Sequence, residues 1–217
     1  MAKATDNRLD QFFTTVRILI DGIQNDTALT QTMTTLGYGP AQWAAGRSLY
    51  DEALNLHAQQ KKEYGDQFEA TRDLNAAWDK AEAAYRRTRN LARVAFRDDP
   101  QAQATLLLGA GRGESLSAWL DQSRQFYQNL SGHPALLKSM ERFGLTEDQV
   151  KAEQALVTDV EARQTHQRTQ TREAQEATES REVQIKKLDR WYIDLRDVAK
   201  VAFGDRPQVM QNLGLAR

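Results

Sequence analysis

Residues 94–101 read Val-Ala-Phe-Arg-Asp-Asp-Pro-Gln, and residues 201–208 read Val-Ala-Phe-Gly-Asp-Arg-Pro-Gln. The two segments lie 107 positions apart, and at this offset residues 9–101 align with residues 116–208 without a gap. Roughly a quarter of the aligned positions are identical, against about one in sixteen expected from ordinary composition. This similarity predicts a tandem duplication, with one helical unit at residues 1–108 and a homologous second unit at residues 109–217.

The composition predicts an all-α protein. The chain of 217 residues has a mean hydropathy of −0.69, is 27% charged and contains only 4 prolines. Alternating charges with frequent Ala, Gln, Arg and Glu are typical of long helices with exposed faces. Val and Ile are sparse between the periodic positions, which argues against β-structure. Since 40% of the residues are hydrophobic, the chain has enough apolar material for a core.

Two long stretches, from Pro40 to Phe96 and from Glu147 to Phe203, carry a heptad repeat that does not change phase. The seam of the first stretch includes Trp43, Tyr50, Trp78 and Tyr85. The seam of the second includes Val150, Glu153, Val157 and Val160. A sustained repeat of seven predicts coiled-coil character. A continuous helix of this length would span roughly 85 Å at a rise of 1.5 Å per residue.

A helical hairpin is the alternative for each long stretch. Tyr64-Gly65-Asp66 offers a turn in the first stretch, but the aligned Thr171-Arg172-Glu173 contains no Gly, Pro or Asn. Both arrangements bury an amphipathic stripe, so the pattern alone leaves them open. In either case we expect an elongated up-and-down helical bundle. We also expect its two units to pack as one body around an internal pseudo-two-fold axis.

Charge and composition disfavour several classes of partner. The formal net charge is −1, and the chain has no Cys and no apolar run long enough for a membrane span or a signal sequence. The densest basic run ends the first long stretch, where Arg side chains complement the helix dipole; it comprises Arg86, Arg87, Arg89, Arg93 and Arg97. We therefore predict a cytoplasmic protein that binds neither nucleic acid nor membranes.

No pattern of catalytic or metal-ligating residues is visible. His57, His133 and His166 do not occur in Glu-x-x-His or His-Glu-x-x-His motifs. The run Gly-Ala-Gly-Arg-Gly at residues 109–113 lacks the Lys-Ser/Thr of a phosphate-binding loop and is interpreted as a connector. We therefore predict no cofactor, no metal and no enzymatic activity.

The middle of both long stretches departs from a plain apolar seam. Polar seam residues weaken a helical interface but specify its register and partner. They form either a hydrogen-bonded central layer, a surface for a protein partner or a small-ligand cavity. The candidate site residues are His57, Gln60, Tyr64, Thr71, Gln164, Gln167, Thr171 and Thr178.

These features favour a non-enzymatic helical scaffold of a bacterium-like cytoplasm, with a protein as its partner, either a second copy or another chain. The alternative is a small-ligand- or metal-binding helical bundle with a polar central layer. An enclosed cavity with converging polar groups would favour the alternative, whereas a solid core would remove it.

Overall fold

The computed structural model describes the backbone of residues 2–111 and 113–215 and the side chains from residue 7 onward. These residues form helices and no strand, so the all-α prediction is confirmed. The helices are α1 Ala2–Gln24, α2 Thr27–Thr35, α3 Pro40–Ala95, α4 Pro100–Thr105, α5 Leu116–Gly132, α6 Pro134–Glu141, α7 Glu147–Phe203 and α8 Pro207–Asn212.

Both long stretches are single helices. α3 has 56 residues and α7 has 57. Gly65 lies within α3 rather than in a turn, so the hairpin alternative is wrong. One Gly inside a helix costs about 1 kcal/mol, which is small against the packing of the helix on either side of it.

Local sequence signals begin and end the shorter helices. The Asp26 carboxylate accepts hydrogen bonds from the backbone N–H of Ala28 at 2.8 Å and of Leu29 at 3.1 Å, and so caps α2. Gly37 follows α2 with φ of 96°, and Gly144 follows α6 with φ of 76°. This left-handed conformation suits Gly and ends both helices.

The chain forms two compact units that both contain parts of α3 and α7. Unit 1 comprises Met1–Tyr64 and Glu173–Arg217, and unit 2 comprises Gly65–Arg172. Each unit combines the first half of one long helix with the second half of the other. The compact units therefore cross the predicted boundary between residues 108 and 109, and the division of the sequence into two repeats stays a prediction.

Each unit has its own core. The fully buried side chains of unit 1 include Val16, Leu19, Ile20, Ile23, Met33, Leu188, Leu195 and Phe203. Those of unit 2 include Leu106, Trp119, Phe126, Tyr127, Leu130, Met140, Val150 and Val160. Burying one such large apolar side chain contributes about 1.5–3 kcal/mol, so the core side chains of each unit are what hold its helices together.

Candidate functional site

The eight predicted site residues do not belong to one compact unit. Unit 1 contains His57, Gln60, Tyr64 and Thr178, whereas unit 2 contains Thr71, Gln164, Gln167 and Thr171. Many seam positions of α3 and α7 are buried, although Tyr64 is exposed, and the two halves of each long helix enter different cores.

In unit 2, the predicted polar residues bond mainly within their own helix. The Thr71 hydroxyl donates to the backbone carbonyl of Gln67 at 2.9 Å. On α7, the Thr171 hydroxyl donates to the carbonyl of Gln167 at 2.9 Å and accepts from the Gln167 side-chain amide at 3.1 Å. Gln164 is half-buried. These local bonds satisfy the hydroxyl groups without a ligand.

In unit 1, the predicted residues take three different roles. His57 is only 4% exposed, and its Nε2 lies 3.5 Å from Oδ1 of Asp10 on α1. The Gln60 side-chain carbonyl accepts a hydrogen bond from Nη1 of Arg181 at 3.1 Å, which joins α3 to α7. The Thr178 hydroxyl bonds within α7, and the ring of Tyr64 is 46% exposed.

A polar cluster in unit 2 lies outside the predicted set. Oε2 of Glu153 on α7 accepts a hydrogen bond from the Thr88 hydroxyl at 2.6 Å and from the Tyr127 hydroxyl at 2.9 Å. Thr88 is 1% exposed and Tyr127 is fully buried. Burial first, and then the Glu153 carboxylate, raise the pKa of Tyr127 well above its ordinary value, so its hydroxyl stays protonated and donates.

Glu153 also lines a cavity of about 120 Å³ at the surface of unit 2. Four apolar side chains line it together with Arg87 and the amide of Gln149; they are Leu91, Phe143, Leu145 and Ala152. Within the described part of the chain, neither Glu153 nor Arg87 belongs to an ion pair. The cavity therefore combines apolar walls with one carboxylate and one exposed guanidinium group, neither of which is paired with another described charge.

At the aligned positions of unit 1, the space is filled by a side chain. Gly46 stands 107 positions before Glu153, and Trp191 stands 107 positions after Ala84. The Trp191 indole packs directly on Gly46, leaving no room there for a Cβ. Tyr38 adds to this filling, with its ring centroid 6.4 Å from that of Trp191.

The two hydroxyl donors are also particular to unit 2. Leu195 and Ile20 occupy the positions aligned with Thr88 and Tyr127, and both are fully buried in the core of unit 1. The sequence held one signal for this cluster, because Glu153 stands among Val150, Val157 and Val160 in the seam of α7. A Glu at such a position predicts a buried partner or a cavity.

Two arginines of the basic run bind backbone carbonyls. Nη2 of Arg89, a residue only 8% exposed, donates to the carbonyl of Leu107 at 3.2 Å, of Leu108 at 3.3 Å and of Ala110. Arg93 donates from Nε and Nη2 to the carbonyl of Leu108 at 3.2 and 3.0 Å. These bonds hold the chain that follows α4. Of the predicted connector at 109–113, Arg112 lies outside the described residues.

Metal ions and membranes are two further classes of partner for the described part of the chain. No group of three or more His, Asp or Glu side chains there is placed to hold a metal ion. None of its helices combines the length and the apolar character needed to cross a bilayer.

No protein-family model, curated protein or solved structure matches this chain. The geometry of the two units is therefore the basis for a functional proposal.

Proposed function

We propose that this protein is a non-enzymatic helical binding protein and that the cavity of unit 2 holds a small polar ligand. The supporting observation is the Glu153 carboxylate, which two buried hydroxyl groups orient and no described cation neutralises. Taking a carboxylate partly out of water costs free energy unless a partner compensates its charge. A bound ligand supplies that compensation.

The lining of the cavity favours binding over catalysis. It includes a carboxylate, an amide and a guanidinium group among apolar walls. Few polar groups in an apolar pocket are typical of a ligand site. The cavity lining contains no Ser, Cys or Lys that could serve as a nucleophile.

The proposal is tested by titrating the protein with small ligands of three charge types, namely L-alanine, n-propylamine and propionate, and following amide NMR shifts. We expect at least one to shift resonances of residues that line the cavity. The control is the double variant Ala84→Trp/Glu153→Gly, which copies the filled arrangement of Trp191 on Gly46. Binding that persists in this variant, or no binding to the native protein, overturns the proposal.

A protein partner is the second candidate, as the sequence favoured. Val94 and Val201 occupy the same position of the two aligned segments and are 50% and 81% exposed, whereas Phe96 and Phe203 are buried. Burial within each unit explains an apolar side chain at the two Phe positions, but it does not explain one at the two exposed Val positions. The proposed partner, a second copy of the chain or another protein, covers these side chains.

This second candidate is tested by sedimentation velocity of the native protein and of a Val94→Ser/Val201→Ser variant. Self-association that this variant loses, and that the control Val183→Ser keeps, supports a second copy as partner. Monomers at every concentration exclude a second copy. A partner of another kind is excluded if the native protein and both variants retain the same co-purifying proteins in equal amounts.

We also propose that the chain arose by tandem duplication and works in the cytoplasm. In support of the duplication, helices α6, α7 and α8 begin 107 residues after α2, α3 and α4, respectively. Coiled-coil character stays part of this proposal, since the heptad seam places Val150, Val157 and Val160 in the core of unit 2.

A further inference from the structure

We propose that the ligand of the unit 2 cavity is a small free zwitterion, an amino acid whose ammonium group binds Glu153 and whose carboxylate binds Arg87. This inference rests on the proposed function, because it names the chemical class of ligand for the same cavity.

The cavity lining contains one negatively and one positively charged group. Glu153 and Arg87 have opposite signs, and they form no ion pair with each other or with another described residue. A simple cation would satisfy Glu153 but meet repulsion from Arg87, and a simple anion would do the reverse. A ligand with both charges satisfies both side chains at once.

Two hydrogen bonds set the orientation of the Glu153 carboxylate. Both hydroxyl donors, Thr88 and Tyr127, bond to Oε2, at 2.6 and 2.9 Å. This leaves Oε1 as an acceptor in a carboxylate whose orientation is already set. An ammonium group has three donors and no acceptor, which matches such an oxygen. The guanidinium group of Arg87 has a planar set of donors that suits a ligand carboxylate.

The cavity is small, and its walls are mainly apolar. A volume of about 120 Å³ is large enough for a small organic ligand. Leu91, Phe143 and Leu145 provide an apolar lining, and Gln149 provides one amide. A ligand with a short aliphatic body between its two charged ends therefore suits these walls.

The aligned positions of unit 1 carry different residues. There Asp194 replaces Arg87, Gly46 replaces Glu153, and the indole of Trp191 fills the position. The aligned site thus loses its positive group, its carboxylate and its space together. We therefore assign one zwitterion site to unit 2 and none to the aligned position of unit 1.

The experiment compares L-alanine, β-alanine and γ-aminobutyrate with n-propylamine and propionate by isothermal titration calorimetry and NMR. The three zwitterions differ in the distance between their ammonium and carboxylate groups, so together they sample a range of charge separations. We expect at least one zwitterion to bind 10-fold or more tightly than both singly charged compounds. Equal or tighter binding of propylamine or propionate overturns the inference and leaves the proposed function intact, whereas no binding of any compound overturns both.

Charge-specific variants provide the second arm. Glu153→Gln keeps an acceptor for Thr88 and Tyr127, and Arg87 is exposed, so both variants are expected to fold with native circular dichroism. We expect Glu153→Gln to weaken zwitterion binding 10-fold or more while leaving propionate unaffected or tighter. Arg87→Gln should weaken zwitterion binding similarly and leave propylamine binding unaffected or tighter. Arg86→Gln, which removes an exposed charge outside the cavity, is the matched control, and an effect equal to that of Arg87→Gln overturns the inference.

Discussion

The indole of Trp191 lies directly on Gly46, so closely that a Cβ at Gly46 would overlap three atoms of the ring. Trp43 adds its own ring, with its centroid 6.4 Å from that of Trp191. This contact fills unit 1 at the position that aligns with the Glu153 cavity of unit 2. The absence of a side chain at Gly46 is therefore a packing requirement.

Gly46→Ala should lower the free energy of unfolding by about 1–3 kcal/mol, because the added methyl group forces the indole to move. Gly65→Ala is the matched control, since a Cβ there meets no atom within 4 Å and Ala suits a helix better than Gly. The control should raise the free energy of unfolding by up to about 1 kcal/mol. Urea unfolding measures both, and equal changes in the two variants would contradict the contact.

Tyr127→Phe should lower the free energy of unfolding by about 1.5–3 kcal/mol, since it removes a hydrogen bond to a carboxylate and leaves the ring in place. Tyr50→Phe is the control, because Tyr50 is also buried but its hydroxyl has no partner among the described residues. Its effect should stay within about 0.5 kcal/mol. In chemical denaturation, Tyr127→Phe should lower the free energy of unfolding clearly more than Tyr50→Phe does.

Trp119→Ala should cost about 3–5 kcal/mol, because Trp119 is fully buried in the core of unit 2 and contacts the ring of Tyr85. Trp78 packs against the same core, with its ring centroid 6.1 Å from that of Trp119, but it is only partly buried. Trp78→Ala should therefore cost less than Trp119→Ala. Thermal unfolding of both variants checks the order, and a reversed order would mean that the core is wrongly assigned.

Arg89→Lys should loosen the segment after α4. One ammonium group cannot reproduce the donation of Arg89 to the carbonyls of Leu107, Leu108 and Ala110. We expect faster hydrogen exchange at the amide of Leu108 and a loss of about 1–3 kcal/mol in unfolding free energy. Arg86→Lys, at an exposed position, should leave both quantities unchanged.

Alkaline pH should destabilise the protein. Burial raises the pKa of Tyr38, Tyr85, Tyr127 and Tyr192 above the ordinary value of 10.0. A group with a raised pKa in the folded state contributes its full stability below its unfolded pKa and loses it as pH rises through the folded value. The free energy of unfolding should therefore fall above about pH 10. Phenolate absorbance should appear at higher pH in the native protein than in urea, and coincident titrations would contradict the burial of these rings.

Much of the secondary structure was predictable because its signals are local. Pro100, Pro134 and Pro207 each stand at the start of a helix, and Gly37 and Gly144 adopt the left-handed conformation that ends one. The choice between long helices and hairpins was harder. Gly65 looked like a turn residue, yet it lies within α3, where a Cβ would meet no atom within 4 Å.

The candidate site was less predictable, because a seam position says which face of a helix turns inward but not what it meets. His57 proved to be a buried neighbour of Asp10. The hydroxyl group of Thr171 was satisfied one turn away on its own helix. Glu153 was visible as a polar seam residue, but its two hydrogen-bond donors come from α3 and α5 and carry no local signal.

The sequence by itself determined the helical elements, their ends and the inward faces of α3 and α7, since helix propensity, capping and heptad spacing act over a few residues. Only the tertiary structure decided which half of each long helix enters which core. It also decided that Thr88 and Tyr127 meet Glu153, 65 and 26 residues along the chain from them. Such encounters depend on which apolar faces bury each other, and that free energy belongs to the packed unit rather than to any one segment.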